Sequence, residues 1–199
     1  DAAIHDDWAY FLAGRGGSIT DAAYFRAPLY PYFLSLFYRF GERSLDTYVW
    51  MRAAQFLIGS LSCVLTYQLG KRVFGKTAGI LAGFMGAMYW PFIYFEGELL
   101  LDNLLAPLIL AGFLCLIPAP PPSRGGLAPV VSLRCLSPRL GQSEFASGIF
   151  FGLAAITRPN ILLFVPVAGW WLYRDKGIRT LLFAAGVFVC VVPVTIRNW

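Results

Sequence analysis

The sequence predicts an all-α fold: a polytopic transmembrane helical bundle of about six spanning helices, with one more helix lying along the outer membrane face. Two observations carry that prediction. Hydrophobic residues make up 58% of the chain and charged residues only 14%, whereas soluble domains carry about 25% charged residues. Polar side chains are therefore too few to coat a water-facing globule. The apolar residues also gather in runs of near-membrane length, giving a mean hydropathy of +0.63. Aromatic residues, at 17%, suit long membrane–water boundaries, where Trp and Tyr rings settle.

A spanning helix needs about 20 mostly apolar residues, so stretches free of Asp, Glu, Lys and Arg mark the candidates. They are residues 53–70, 77–95, 103–118, 145–157, 159–173 and 180–196. The third is expected to begin nearer Leu99, and the fourth is short enough to borrow from its flanks. A net charge of +5 could suggest nucleic acid. Here the basic residues instead form short clusters between apolar runs, as in loops on the cytoplasmic side of a membrane. Lys71, Arg72 and Lys76 follow the first run; Arg124, Arg134 and Arg139 separate the third from the fourth; Arg174, Lys176 and Arg179 separate the fifth from the sixth. With these loops inside, residues 1–48, 96–102 and 157–160 share the outer face, periplasmic or luminal.

The chain accordingly divides into an outer-face segment, residues 1–48, and a transmembrane core, residues 49–199, interrupted by a cytoplasmic linker at 118–143. In the outer segment, Pro28-Leu29-Tyr30-Pro31 opens a run in which Leu29, Phe33, Leu36, Phe37 and Phe40 recur at helical spacing, ended by Gly41. Proline near a helix start and glycine just past its end are the expected punctuation. Such a helix rises only about 20 Å and is expected to lie in the interface rather than cross. Pro118, Pro120, Pro121 and Pro122, followed by Ser123-Arg124-Gly125-Gly126, break any helix and read as a flexible linker. A first residue other than Met, and a last residue directly after an apolar run, make the sequence read as an internal fragment truncated at both ends.

Several motifs have a structural explanation. Residues 70–77 match the phosphate-loop pattern GxxxxGK[ST], but that loop works between a strand and a soluble helix. Apolar runs flank it here, so it reads as a basic inside loop. Gly79 with Gly83, and Gly148 with Gly152, are small-xxx-small pairs that let helices approach closely. Cys63, Cys115 and Cys190 lie in apolar runs and Cys135 in the linker, without metal or redox spacing, as expected of small hydrophobes. His5 is the only histidine and reads as an exposed loop residue.

The outer-face acids stand apart. Asp1, Asp6 and Asp7 precede the interfacial helix, and Glu96, Glu98 and Asp102 lie between the second and third apolar runs. Carboxylates beside a bilayer are costly unless they face water, a cavity or a partner. Arg26 and Arg158 share that face; each could pair with these acids or hold an anionic phosphate through its planar guanidinium.

Tyr24-Phe-Arg26-Ala-Pro28-Leu-Tyr30-Pro31-Tyr-Phe-Leu, with Arg52-Ala-Ala-Gln55, Lys71-Arg-Val-Phe-Gly75, Tyr89-Trp-Pro91-Phe-Ile-Tyr-Phe-Glu96-Gly-Glu98 and Gly152-Leu-Ala-Ala-Ile-Thr157-Arg158-Pro159-Asn160, resembles the large bacterial membrane glycosyltransferases of the GT-C superfamily. The likeness is to the glycosyltransferase family 39-like group, related to dolichyl-phosphate-mannose protein mannosyltransferases. It runs along nearly the whole chain except 118–143. The resemblance implies a GT-C-like bundle, missing its first span and its C-terminal half, in a bacterial inner or cell membrane, with its active face outward. It further implies inverting transfer of a sugar from a polyprenyl-phosphate donor to a protein, lipid or glycan hydroxyl. In that family an essential Asp opens the first outer loop. The segment Asp1-Ala-Ala-Ile-His5-Asp-Asp-Trp8-Ala9 puts Asp1 at that position, with Asp6 or Asp7 as fallback. By the same resemblance Arg26 and Arg158 bind the donor phosphate. Glu96, Glu98 and Asp102 are secondary acids that order the acceptor, or a divalent metal ion if one is used; no other cofactor is implied. The rival expectations are a transporter or flippase of lipid-linked substrates, and a non-catalytic membrane scaffold of the same fold.

Overall fold

The computed structural model describes residues 2–16, 28–117 and 142–199, and every regular element among them is helical. Two short helices come first, α1 (Ala2–Leu12) and α2 (Leu29–Tyr38). The longest, α3 (Leu45–Phe74), follows. Its punctuation is legible in the residues: the Ser44 side chain accepts a hydrogen bond from the Thr47 N–H at 3.3 Å, Asp46 sits in the first turn, and Lys71 and Arg72 sit in the last. The acid and the bases complement the two ends of the helix dipole. Gly75, with φ at +94°, ends the helix and turns the chain back, a conformation that only glycine adopts without strain.

Then come α4 (Lys76–Met88) and α5 (Trp90–Gly97). The sequence predicts one continuous run over 77–95, but the helix breaks at Tyr89 and the two parts bend by 50°. Pro91, at the start of α5, explains the break: it donates no N–H and its ring would clash with the carbonyl four residues back. After α6 (Asp102–Leu116) and α7 (Gln142–Ala155), residues Pro159–Leu163 form a 3-10 turn into α8 (Phe164–Lys176), and α9 (Thr180–Arg197) follows. The linker expected at 118–143 lies almost entirely outside the described residues.

Two stretches, Leu45–Phe74 and Gly177–Arg197, are long and apolar enough to cross a membrane, and the bent α4–α5 pair taken as one span makes a third. The remaining expected spans are shorter. At 15 residues, α6 rises only about 22 Å, against a hydrocarbon thickness of about 30 Å. Helix length alone therefore gives two or three crossings.

Contacts between helices fix their directions. The Asn103 side chain donates to the Gln55 carbonyl at 3.3 Å, and Arg72 donates to the Leu114 carbonyl and, at 3.0 Å, to the Ile117 carbonyl. Helices α3 and α6 thus run parallel. Arg72 also caps the C-terminal carbonyls of α6, which have no partner within their own helix. Ser147 donates to the Gly112 carbonyl at 2.9 Å and Arg158 meets Asp102 at 3.1 Å, so α7 runs back antiparallel to α6. The Glu96–Asp102 turn and Arg158 consequently lie at one end, with Lys71, Arg72 and Lys76 at the other.

Glycine sets the closest approaches. A Cβ built on Gly79 would lie 2.7 Å from the Tyr67 carbonyl and the Lys71 N–H nitrogen, and one on Gly83 would lie 2.9 Å from the Tyr67 Cβ. Between α7 and α9, a Cβ on Gly152 would lie 2.8 Å from the Cys190 Cβ and one on Gly186 would lie 2.8 Å from the Ile149 nitrogen. Both small-xxx-small pairs serve as the sequence predicts, and Gly186 completes the second contact. Leu116, Phe151, Ala168, Leu172, Phe183 and Val187 pack beside it as a buried cluster. Gly186→Val should force α9 off α7 and cost about 1–3 kcal/mol, read as a lower thermal midpoint in detergent. Gly177→Val, which meets nothing within 4 Å but sits at φ +58°, should leave the α7–α9 contact intact.

Candidate functional site

Of the residues singled out from sequence, Asp1 and Arg26 lie outside the described residues. The others gather at the end of the bundle where α1, α2 and the start of α3 meet the Glu96–Asp102 turn. Two polar clusters there differ in burial, and burial decides what each can do.

The first is buried and self-satisfied. Helix α1 brings Asp6 against α2 and α3, where Asp6 is 9% exposed. Tyr38 donates to its Oδ1, Tyr48 donates to its Oδ2 at 3.0 Å, and Arg43 lies 3.1 Å from the same Oδ2. Arg43 also pairs with Asp7 and stacks 4.7 Å from the Tyr10 ring centre. A carboxylate accepting two phenolic hydrogen bonds and paired with a guanidinium is held in place. Both of its oxygens are already engaged, and little of it faces solvent. Asp6, a fallback for the catalytic acid, is therefore a clamp joining three helices.

His5 is corrected as well. It is fully buried in α1 rather than exposed on a loop, with its ring edge-on to Tyr30 at 5.4 Å. Tyr30 in turn accepts from the Gln55 amide at 2.8 Å. The cause is the face that α2 buries: Tyr30, Leu34 and Tyr38 point inward, while Leu36 is 52% exposed and Phe40 92% exposed. The apolar stripe anticipated for this helix is thus partly its outer face, and the tyrosines carry the inner one. Tyr30, Tyr38, Tyr48, Arg43 and Gln55 were missed by a search for apolar periodicity. Tyrosines recurring at i and i+8 around Leu34 were the available signal.

The second cluster is open. Asp102, in the first turn of α6, pairs with Arg158 just beyond α7 at 3.1 Å, and both side chains are about half exposed, 46% and 51%. Glu96 lies against α3 where Gly59 leaves no side chain, close enough that a Cβ there would overlap its carboxylate. Glu98 is exposed on the following residue pair. The structure therefore brings Asp102 to Arg158 and puts Glu96 and Glu98 on the adjoining turn. Among the described residues no three His, Cys, Asp or Glu side chains converge on a metal-sized site, and Asp102 is engaged by Arg158.

The chain matches no family model, no curated protein and no solved structure.

Burial, with the hydrogen bond to Asp6, pushes the Tyr38 phenol far above the ordinary tyrosine range, and burial does the same at Tyr30. A folded-state pKa raised above the unfolded value of about 10 gives stability that is complete below pH ~10 and lost as pH rises further. Tyr38→Phe should therefore lower stability at neutral pH by about 1–3 kcal/mol yet weaken the loss above pH ~10. Tryptophan fluorescence followed along an alkaline titration checks both signs.

Proposed function

We propose that the chain belongs to a membrane glycosyltransferase of GT-C-like architecture that moves a sugar from a polyprenyl-phosphate donor to an acceptor hydroxyl, with inversion, at the outer face of a cell membrane. The observation that carries this reading is the Asp102–Arg158 pair. Two residues 56 apart in sequence meet at 3.1 Å, at the bundle end that holds Glu96 and opposite the end that holds Lys71, Arg72 and Lys76. By the positive-inside rule that basic end is cytoplasmic and the acidic end outward. On this reading the six apolar runs cross the bilayer in alternation, the shorter ones completed by their flanks.

The chemistry follows from the exposure of that pair. An ion pair this open contributes only about 0–1 kcal/mol, so a donor phosphate can displace Asp102 from Arg158 at little cost. Guanidinium then holds two phosphate oxygens at once, with Arg26 as its partner. As the glycosidic bond breaks, charge builds on the lipid phosphate, and a preoriented Arg158 stabilises it without rearranging. A carboxylate must take the proton of the attacking hydroxyl; Asp1 has that role. Glu96, Glu98 and the released Asp102 order the acceptor.

A transporter or flippase of lipid-linked substrates is the second reading, favoured by the 50° break between α4 and α5, since broken helices line many transport sites. Membranes carrying the full-length protein and radiolabelled polyprenyl-phosphate sugar distinguish the two. Arg158→Ala should lower transfer about 100-fold, the scale of losing one preorganised donor, while Asp102→Asn should spare donor binding. Asp1→Asn retaining near-normal transfer would remove Asp1 from the mechanism, and lipid crossing vesicles without losing its sugar would favour transport.

A further inference from the structure

Helix α8 presents an exposed face whose side chains change character in order along its length. Leu163, immediately before the helix, and Val167, Trp170 and Arg174 within it recur at helical spacing. All four are exposed, Leu163 by 80% and Trp170 by 68%. Trp171, also exposed, widens the face at the level of Trp170. The bundle covers the opposite face: Ala168 and Leu172 are buried in one cluster with Leu116 of α6 and Phe183 of α9. Leu116 lies between the two residues of α6 and its C-terminus whose carbonyls Arg72 caps. The C-terminal end of α8 therefore belongs to the basic end of the bundle.

Aliphatic side chains, then indoles, then a guanidinium is the order of environments across one leaflet of a bilayer. From Leu163 to Arg174 the chain rises about 16 Å, close to half of a hydrocarbon thickness of about 30 Å. Tryptophan settles at the boundary, where its ring stays in apolar surroundings and its N–H reaches polar partners. Arg174 then stands at headgroup depth. Neither it nor Arg179, both exposed, is in an ion pair among the described residues. Asp175 is exposed too, but it sits about 100° further round the helix and leaves the stripe itself without an acid. The cation is thus part of the apolar face, continuous with the side chains below it. A face of this kind is complementary to an amphiphile with an anionic head, and cations at the cytoplasmic surface favour anionic lipids by about 1 kcal/mol each.

We propose that this face of α8 binds an anionic phospholipid of the cytoplasmic leaflet, its acyl chain along Val167 and Leu163, its ester region against Trp170 and Trp171, and its phosphate on Arg174. The proposal rests on the membrane reading but not on the transferase activity. The test is tryptophan quenching of the full-length protein in phosphatidylcholine vesicles that hold a fixed fraction of brominated phosphatidylglycerol or brominated phosphatidylcholine. The signal of the pair is the emission lost in a variant carrying both Trp170→Phe and Trp171→Phe. The expected result is stronger quenching of that signal by the brominated phosphatidylglycerol. Arg174→Gln should lower the preference about fivefold, the equivalent of one cation. Lys76→Gln, which removes a cation of α4 and not of this face, should leave it unchanged; an equal loss in both variants marks a diffuse surface attraction and overturns the site. Equal quenching by the two lipids in the unaltered protein overturns the proposal while leaving the membrane reading standing. Absence of quenching by either lipid also overturns it, because another segment or another copy then covers the face. Failure of the protein to insert into vesicles overturns the membrane reading and the lipid surface together.

Discussion

Glycine against backbone is the contact on which this bundle depends. Two apolar helices surrounded by hydrocarbon gain nothing from the hydrophobic effect by meeting, so close packing and hydrogen bonds must hold them. Gly79 and Gly83 let α4 lie directly on the Tyr67–Lys71 backbone of α3, and Gly148, Gly152 and Gly186 do the same for α7 and α9. Hydrogen bonds follow where the distance allows, as with Ser147 to the Gly112 carbonyl. The outward faces are correspondingly large and apolar: Phe84, Met85, Phe188 and Val189 are all exposed. Bulky apolar side chains thus occur on the outer faces as well as in the buried clusters, which suits the membrane-length helices.

The same inversion governs the acidic end. Asp6 is buried, and every oxygen it has is used, by Tyr38, Tyr48 and Arg43; such a group joins helices and is not free for chemistry. Asp102 and Arg158 are half exposed and paired with each other, so their contact is weak enough to exchange. Two carboxylates of the same type thus take different roles because one is shut away from water and the other is not. At the opposite end Arg72 is spent in the same way, on the C-terminal carbonyls of α6.

From sequence alone came the helical class, the apolar runs, the glycine pairs, and the separation of acids from bases along the chain. These are local properties: periodicity, capping and composition act within a few residues of where they are written. The tertiary structure decided that Pro91 divides an apolar run into two bent helices and that α2 turns its tyrosines inward. It likewise determined that His5 is buried and that Asp6 is spent as a clamp while Asp102 meets Arg158. Apart from the break at Pro91, each of these depends on which face of one helix another helix covers. That choice is made by contacts between residues 25 to 56 positions apart, such as Gln55 with Tyr30, Tyr48 with Asp6 and Arg158 with Asp102. No local pattern encodes such contacts, because a hydroxyl or carboxylate is equally at home in water until a neighbouring helix removes the water.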